Sequence, residues 1–264
     1  MLAVLRIAAI VALVAMATMA MAPAQLAAIR FLPRRAARLP LAWHRWATRL
    51  IGVRVRVNGH PSRLRPLLLV ANHLSWSDIL VLGSVMPLSF VAKSEVARWP
   101  AIGWLARLQR TIYVERTRRQ ASGRQAEAIG ARLAAGEAIV LFAEGTTGTG
   151  HRVMPFKSAL LGAARAAASA GEAVHIQPVA IAYTRLHGLP LGRYHQARAA
   201  WPGTIDLGRH LVSFLRDGAY DVEVTFGTAE PLDAAGDRKA AATRMHAAVR
   251  AAHAASMRMR SQAP

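Results

Sequence analysis

The chain reads Leu67-Leu68-Leu69-Val70-Ala71-Asn72-His73-Leu74-Ser75-Trp76-Ser77-Asp78 where a short apolar run gives way to polar residues. The apolar run has the length and composition of a buried strand, and the residues from Ser77 onward predict a helix capped by Ser75 or Ser77. His73 and Asp78 are five positions apart, which on one continuous helix would put them on different faces. They therefore meet only if His73 lies in the loop and Asp78 in the first helical turn.

A histidine beside a carboxylate at the end of a strand is the pairing that a general base requires. The imidazole takes a proton, while the carboxylate fixes the ring tautomer and stabilises the imidazolium. The other interpretation is a capped helix with an incidental histidine. This stretch by itself leaves both interpretations open.

Strand-like and helix-like patterns alternate through the rest of the chain and predict an α/β fold, with a mostly parallel sheet flanked by helices. Pro178, inside an apolar run, favours an edge strand or a bulge. We expect a membrane anchor and interfacial basic segment over residues 1–50, followed by one catalytic domain over residues 51–264. The predicted strands are 53–58, 67–72, 88–92, 111–115, 138–142, 174–183 and 220–226, and the predicted helices are 77–85, 101–108, 118–135, 158–170, 204–215 and 233–257.

The N-terminal segment predicts membrane attachment. Residues 7–29 carry no charged side chain, and a membrane-spanning helix needs about 20 apolar residues. Four arginines follow between residues 30 and 38, and the positive-inside rule then puts the catalytic domain on the cytoplasmic face of the membrane. The alternatives are a hairpin with the amphipathic stretch 40–51 lying in one leaflet, and a cleaved signal peptide.

Composition narrows the class of partner. The net charge is +20, and the first 77 residues carry eleven arginines without one acidic residue. A basic region beside an apolar segment suits an anionic lipid surface, and the apolar N-terminus makes nucleic acid the less favoured partner. The chain has no cysteine, which excludes disulfides, thiolate metal ligands and a cysteine nucleophile. The histidines form no close ligand cluster in the sequence, so no metal site is predicted.

Polar segments follow four of the predicted strands. They are His73–Asp78, Lys93–Glu95, Glu115–Arg116 and Glu144–Gly150. In open α/β sheets, ligands bind outside the carboxyl ends of the strands. The sequence therefore predicts that these segments converge on a single site.

The last of these segments is rich in glycine. Gly145 and Gly150 have the separation found in a phosphate-binding P-loop, but His151-Arg152 stands where that motif has Lys-Ser or Lys-Thr. Nucleotide binding by this loop is therefore not predicted. Its glycines allow backbone N–H groups to approach an anion closely, and a flexible surface turn is the alternative.

Taken in order, four blocks resemble a known family. They are the His73-x4-Asp78 motif, Lys93-x-Glu95 with a downstream Arg116, the Phe-x-Glu-Gly-Thr run from Phe142, and Pro178 before an apolar strand. The order resembles the glycerolipid acyltransferase superfamily, specifically the bacterial 1-acyl-glycerol-3-phosphate acyltransferases. The resemblance spans roughly residues 50–230, and four ordered blocks are far more specific than any one of them.

The resemblance implies transfer of an acyl group from acyl-CoA or acyl carrier protein to the hydroxyl of 1-acyl-sn-glycerol-3-phosphate, giving phosphatidic acid, without a cofactor. It also implies that His73 is the general base, that Asp78 orients it, and that the acyl group passes directly to the acceptor. The residues that it implies for the acceptor headgroup are Arg116, Glu144, Gly145 and Thr146, with Lys93 adding charge at the same mouth.

Two departures bear on the acceptor. Ala143 stands where the family usually has proline, and Thr147 stands where it often has an arginine that grips phosphate. The residues around Lys93 and Thr146 also resemble the subgroup that acylates lyso-ornithine lipid, which is the alternative acceptor. An alternative of another class is a catalytically silent lipid-binding membrane protein.

Overall fold

The structure, a computed structural model, describes residues 1–33, 35–114, 121–159, 161–162, 174–232 and 237–258. Within these residues the strands are β1 (Val53–Asn58), β2 (Leu67–Ala71), β3 (Ser89–Lys93), β4 (Ile112–Val114), β5 (Ala138–Phe142), β6 (Val174–Leu186), β7 (Leu189–Pro190), β8 (Tyr220–Phe226) and β9 (Glu230–Leu232). The helices are α1 (Leu2–Phe31), α2 (Arg38–Leu50), α3 (Ser77–Val85), α4 (Ile102–Leu108), α5 (Ala121–Ala134), α6 (Arg193–Ala199), α7 (Leu207–Asp217) and α8 (Arg238–Arg258), with a short 3₁₀ helix at Ser94–Arg98.

The strands form one sheet in the order β1-β8-β6-β2-β5-β3-β4, and β7 and β9 also pair with β6. β2 runs parallel to both β5 and β6, and β3 runs parallel to β4 and β5, whereas β8 is antiparallel to β6. The predicted α/β fold with a mostly parallel sheet is confirmed. Because β2, β3 and β5 are parallel, the segments that follow them emerge at the same edge of the sheet.

Every residue of the central strands β2 and β5 is buried. Side chains alternate between two apolar clusters, one on each face of the sheet. Leu67 and Leu69 join the cluster that contains residues of α3 and α7, while Leu68 and Val70 join the cluster that contains residues of α5 and α8. Burial on both faces explains why these strands are continuous apolar runs rather than alternating ones.

Most predicted boundaries agree with the structure to within a few residues. The helix 77–85 and the strands 138–142 and 220–226 have the predicted limits, and the predicted strand 174–183 continues to Leu186. The predicted helix 204–215 begins later, at Leu207, because the Asp206 carboxylate accepts a hydrogen bond from the Arg209 N–H and caps it. Parts of the predicted helices 118–135, 158–170 and 233–257 lie outside the described residues.

The sequence favoured an edge strand or a bulge at Pro178, and the strand that contains it, β6, lies inside the sheet and not at its edge. On one side β6 pairs with β2, and on the other it pairs first with β9 and then with β8. Pro178 lies between those two partners, and its carbonyl accepts a hydrogen bond from the Gly227 N–H at 2.9 Å. The amide nitrogen and the carbonyl of a strand residue point to the same side of the strand. The nitrogen of Pro178 therefore points to the gap between β9 and β8, where no backbone N–H is needed to pair with a neighbouring strand.

Helix α1 packs one face along the domain and exposes the other. Its buried side chains include Ile10 and Gln25, while Met16, Met19 and Leu26 are more than half exposed. Near its start, the Arg6 guanidinium donates to the Leu215 carbonyl at 2.7 Å, and near its end the Gln25 amide donates to the Leu108 carbonyl at 2.6 Å. The helix is long and apolar enough to cross a membrane, yet it is attached to the domain at two points about 28 Å apart.

Candidate active site

His73 and Asp78 meet as their spacing requires, with His73 in the loop after β2 and Asp78 in the first turn of α3. The His73 Nδ1 lies 2.8 Å from the Asp78 Oδ2, and the Asp78 side chain is fully buried. The same oxygen accepts hydrogen bonds from the Leu74 and Ser75 N–H groups at 2.6 and 2.9 Å. Because a carboxylate only accepts, Nδ1 carries the proton and Nε2 is left as the basic atom of the ring.

The ring of His73 is held by the end of β5. It stacks on Phe142 with the ring centroids 3.8 Å apart and an interplanar angle of 12°. The backbone carbonyl of His73 accepts a hydrogen bond from the Gly148 N–H at 2.9 Å. The glycine-rich segment and the His73 loop are therefore one packed unit at the edge of the sheet.

Gly150 shows how closely the two loops approach. Its φ is +83°, in the left-handed region that favours glycine, and a Cβ atom added there would lie 2.6 Å from the Leu74 Cδ1, so the Leu74 side chain would have to move. Gly145 also has a positive φ, +76°. The packing favours a role of the segment in the site over a free surface turn.

Glu144 lies behind the His73 loop and is 3% exposed. Its Oε1 accepts a hydrogen bond from the Met154 N–H at 3.2 Å. Burial raises the pKa of Glu144 to about 8; backbone N–H groups of Met154 and His73 counter this rise, and the charge of Asp78 adds to it. At neutral pH the Glu144 carboxyl is therefore mostly protonated.

The Ala143 departure has a structural consequence. The Ala143 N–H donates to the Ala71 carbonyl at 3.1 Å and so prolongs the pairing of β2 with β5. A proline at this position lacks that donor. In this chain the peptide that leads to Glu144 is thus fixed by a sheet hydrogen bond.

A cavity of about 1210 Å³ opens beside His73, and its walls are mostly apolar. Helices α1, α2 and α4 supply much of the lining, and Lys93, Gly145 and Thr146 line it together with His73. Five tryptophans also contribute: Trp43, Trp76, Trp99, Trp104 and Trp201. The volume exceeds that of a typical small-molecule site and suits a long alkyl chain whose polar end reaches His73.

The predicted site residues thus fall into three groups. His73, Lys93, Gly145 and Thr146 share the cavity, whereas Asp78 and Glu144 lie behind it and support the loops. Arg116, with the rest of 115–120, lies outside the described residues. Across the part of the chain that is described, no group of three or more His, Asp or Glu side chains is placed to hold a metal ion.

Sequence reasoning missed two residues that support the pair. The Asn72 side chain donates to the Ile181 carbonyl at 3.0 Å and accepts from the Ile181 N–H at 2.8 Å, which ties the loop to β6. The Tyr183 phenol donates to the Asp78 Oδ1 at 2.9 Å. Asn72 was visible as the first polar residue after the apolar run, but no local pattern marks Tyr183.

Residues 54–182 match the acyltransferase family of proteins. The chain is 55% identical over 216 residues to a lyso-ornithine lipid O-acyltransferase of Brucella abortus, covering 81% of each chain. The chain therefore belongs to the acyltransferase family and is an acyl-transferring enzyme, as the sequence predicted.

Two further proteins match a smaller share of the chain or match it at lower identity. A 1-acyl-sn-glycerol-3-phosphate acyltransferase of Neisseria gonorrhoeae is 35% identical over 104 residues, which is 39% of this chain and 41% of that protein. The fold is similar to the crystal structure of the 1-acyl-sn-glycerophosphate (LPA) acyltransferase PlsC from Thermotoga maritima, with a TM-score of 0.58, 22% identity, and coverage of 84% of this chain and 80% of that one.

Proposed function

We propose that the protein transfers a fatty acyl group from an acyl thioester to the free hydroxyl of a lysolipid, with His73 as the general base. The observation that carries the proposal is the hydrogen-bonded His73–Asp78 pair beside a large apolar cavity. The same pair argues against a catalytically silent lipid-binding protein, because lipid binding does not need an oriented imidazole.

In this mechanism the acceptor hydroxyl approaches Nε2 of His73. As the imidazole takes the proton, the hydroxyl oxygen forms a bond to the thioester carbonyl carbon. The carbon–sulfur bond then breaks, and the imidazolium returns its proton to the departing thiolate. Asp78 stabilises the imidazolium between these two steps, and coenzyme A or acyl carrier protein leaves as the free thiol.

For the acceptor, we propose lyso-ornithine lipid. This was the alternative in the sequence analysis, where the family resemblance implied lysophosphatidate. Apart from histidines, the charged side chains among the described cavity-lining residues are Lys93, Glu95 and Asp206. Among the described residues, this lining of one cation and two carboxylates is a poor match for a dianionic phosphate. These side chains complement an ornithine headgroup, whose free carboxylate can pair with Lys93 and whose δ-ammonium can pair with an acid.

Two further observations support this acceptor. Thr147, which lines the cavity, has no charge to offer a phosphate. The similarity to the Brucella abortus protein also covers twice the share of this chain that the similarity to the Neisseria gonorrhoeae protein covers. Both observations favour lyso-ornithine lipid over lysophosphatidate as the acceptor.

The test is an acyl-transfer assay on washed membranes with labelled acyl thioester and each lysolipid in turn. We expect kcat/KM for lyso-ornithine lipid to exceed that for lysophosphatidate by roughly 100-fold, the size of discrimination that a site built around paired polar groups reaches. Lys93→Gln should raise the KM for lyso-ornithine lipid, and Lys93→Arg, the matched control, should largely retain it. Equal or faster acylation of lysophosphatidate would reverse the choice of acceptor.

For the membrane geometry, we propose that α1 lies along one leaflet on the cytoplasmic side and does not cross the bilayer. The two attachments near its ends, Arg6 to Leu215 and Gln25 to Leu108, both join it to the same domain. A helix that crossed the bilayer would have to give up one of them. Between its ends, exposed apolar side chains such as Met16 and Met19 face away from the domain and suit the acyl region of a leaflet.

The absence of cysteine from the sequence makes this geometry testable by single-cysteine labelling. Leu2 and Phe31, at the two ends of α1, are 82% and 72% exposed, and Tyr194 in the domain is 96% exposed. With a membrane-impermeant maleimide, Leu2→Cys, Phe31→Cys and the control Tyr194→Cys should all react in inverted vesicles and stay protected in intact spheroplasts. Labelling of Leu2→Cys and Phe31→Cys from opposite sides would show a spanning helix.

A further inference from the structure

The carboxylate of Asp78 has a second oxygen that does not face His73. Oδ2 accepts from His73 and from two backbone N–H groups, whereas the donor to Oδ1, among the described residues, is the phenol of Tyr183 at 2.9 Å. Tyr183 lies 105 positions further along the chain and is 1% exposed. A buried carboxylate needs such donors to remain charged away from water.

The direction of the protons in this chain of hydrogen bonds follows from the number of donors. Because the single phenol proton of Tyr183 goes to Asp78, the Ser77 hydroxyl, 2.6 Å away, must donate to the phenol oxygen. Burial raises the pKa of the Tyr183 phenol well above its ordinary value, and the charge of Asp78 raises it further. The phenol therefore stays protonated, and stays a donor, across the pH range of an enzyme assay.

The sheet holds Tyr183 in place relative to His73. Tyr183 is on β6, which pairs in parallel with β2, the strand that leads to His73. The Asn72 side chain adds two hydrogen bonds between the same two segments. The Tyr183 ring also packs edge-on against Tyr220, with the centroids 6.2 Å apart. The phenol is thus a fixed donor on a rigid element.

We propose that Tyr183 is a positioning residue for acyl transfer, whose phenol holds the charged carboxylate of Asp78 in the orientation that directs His73 Nδ1. This inference rests on the proposed general-base role of His73. Loss of the phenol would leave one oxygen of a buried carboxylate without its donor, and the pair would then bind a proton more readily. Among the described residues, Glu144, mostly protonated at neutral pH, also interacts with Asp78, and Tyr220 interacts with the Tyr183 phenol.

The test is Tyr183→Phe, assayed with the lysolipid that the wild type accepts. We expect kcat to fall roughly tenfold to 30-fold, the effect of removing one charge-assisted hydrogen bond, while the KM for the lysolipid changes less than twofold. We also expect the acid limb of the pH dependence of kcat to move to higher pH, because the pair must lose a more tightly held proton before it acts as a base. A merely structural contribution of Tyr183 would not move that limb.

Tyr220→Phe is the matched control. It removes only the hydroxyl of Tyr220, whose ring packs against that of Tyr183. This hydroxyl donates to the Asp217 Oδ2 at 3.1 Å and not to Asp78. It should keep the kcat and the acid limb of the wild type. In a second variant, Ser77→Ala/Tyr183→Phe, the serine hydroxyl cannot replace the missing donor.

The outcomes separate this inference from the proposed function. If His73→Ala is inactive while both Tyr183→Phe and Ser77→Ala/Tyr183→Phe keep kcat within twofold of the wild type, Tyr183 has no positioning role and the proposed function stands. If His73→Ala is active, the general-base assignment itself is wrong. A fall in kcat with an unmoved acid limb, or an equal fall in Tyr220→Phe, would also overturn the inference.

Discussion

Replacement of His73 by alanine is expected to lower acyl transfer by roughly 1,000-fold or more, within the range that a positioned general base contributes. The His73 imidazole lines the apolar cavity, and its tautomer is fixed by Asp78 at 2.8 Å. Without it, the acceptor hydroxyl has to lose its proton to water or to a poorly placed group. The measurement is transfer of a labelled acyl group on washed membranes, at equal amounts of wild-type and variant protein.

The control for this variant is His60→Ala, which changes an exposed histidine before β2. It should keep wild-type turnover. The His73→Ala protein should also stay in the membrane fraction, because the substitution leaves the exposed apolar side chains of α1 unchanged. Near-wild-type turnover of His73→Ala would refute the general-base assignment, and release of the variant from the membrane would point to misfolding instead.

Asp78→Asn is expected to lower kcat by roughly 100- to 1,000-fold, because an amide cannot stabilise the imidazolium and can leave the wrong nitrogen protonated. The amide oxygen can still accept from the Leu74 and Ser75 N–H groups, so the fold should persist. Asp78→Ala is expected to destabilise the fold, which Asp78→Asn should not do. It should lower the free energy of unfolding by about 3–5 kcal/mol, since it leaves several buried donors without an acceptor. Thermal unfolding and kcat, measured on both variants, separate the two effects.

Asp217→Asn is the matched control for the amide substitution. Asp217 accepts from the Tyr220 phenol and the Arg198 guanidinium, away from His73, so its amide should keep kcat near that of the wild type. A kcat of Asp78→Asn close to that of the wild type would mean that the charge of Asp78 is unimportant for transfer. An unfolded Asp78→Asn protein would mean that its carboxylate is needed for the fold itself.

Much of the local structure was predictable because it follows from short-range patterns. The unbroken apolar runs of β2 and β5 require burial on both faces. The predicted helix start at Ser77 is confirmed, but the predicted serine cap is wrong. Trp76 occupies the N-cap position without a side-chain cap, because the Ser77 hydroxyl is bonded to Tyr183 and the Asp78 carboxylate accepts from the N–H groups of the preceding turn. Pro178 was harder to interpret, because a proline inside a strand indicates a missing donor but not which neighbouring strand is interrupted. Glu144 was found by motif, but its raised pKa depends on burial that no local pattern reports.

From the spacing alone, His73 and Asp78 can meet only with His73 in a loop and Asp78 in the turn of helix that follows, because five residues on a single helix cannot bring the two side chains together. The hydrophobic patterns also predicted an apolar N-terminal helix followed by an α/β domain. The packing of the whole chain places α1 along a cavity beside His73, and it brings Tyr183, 105 residues from Asp78, to the second oxygen of the Asp78 carboxylate. Periodicity and capping act over a few residues, whereas the order in which strands pair is set by packing of the whole chain.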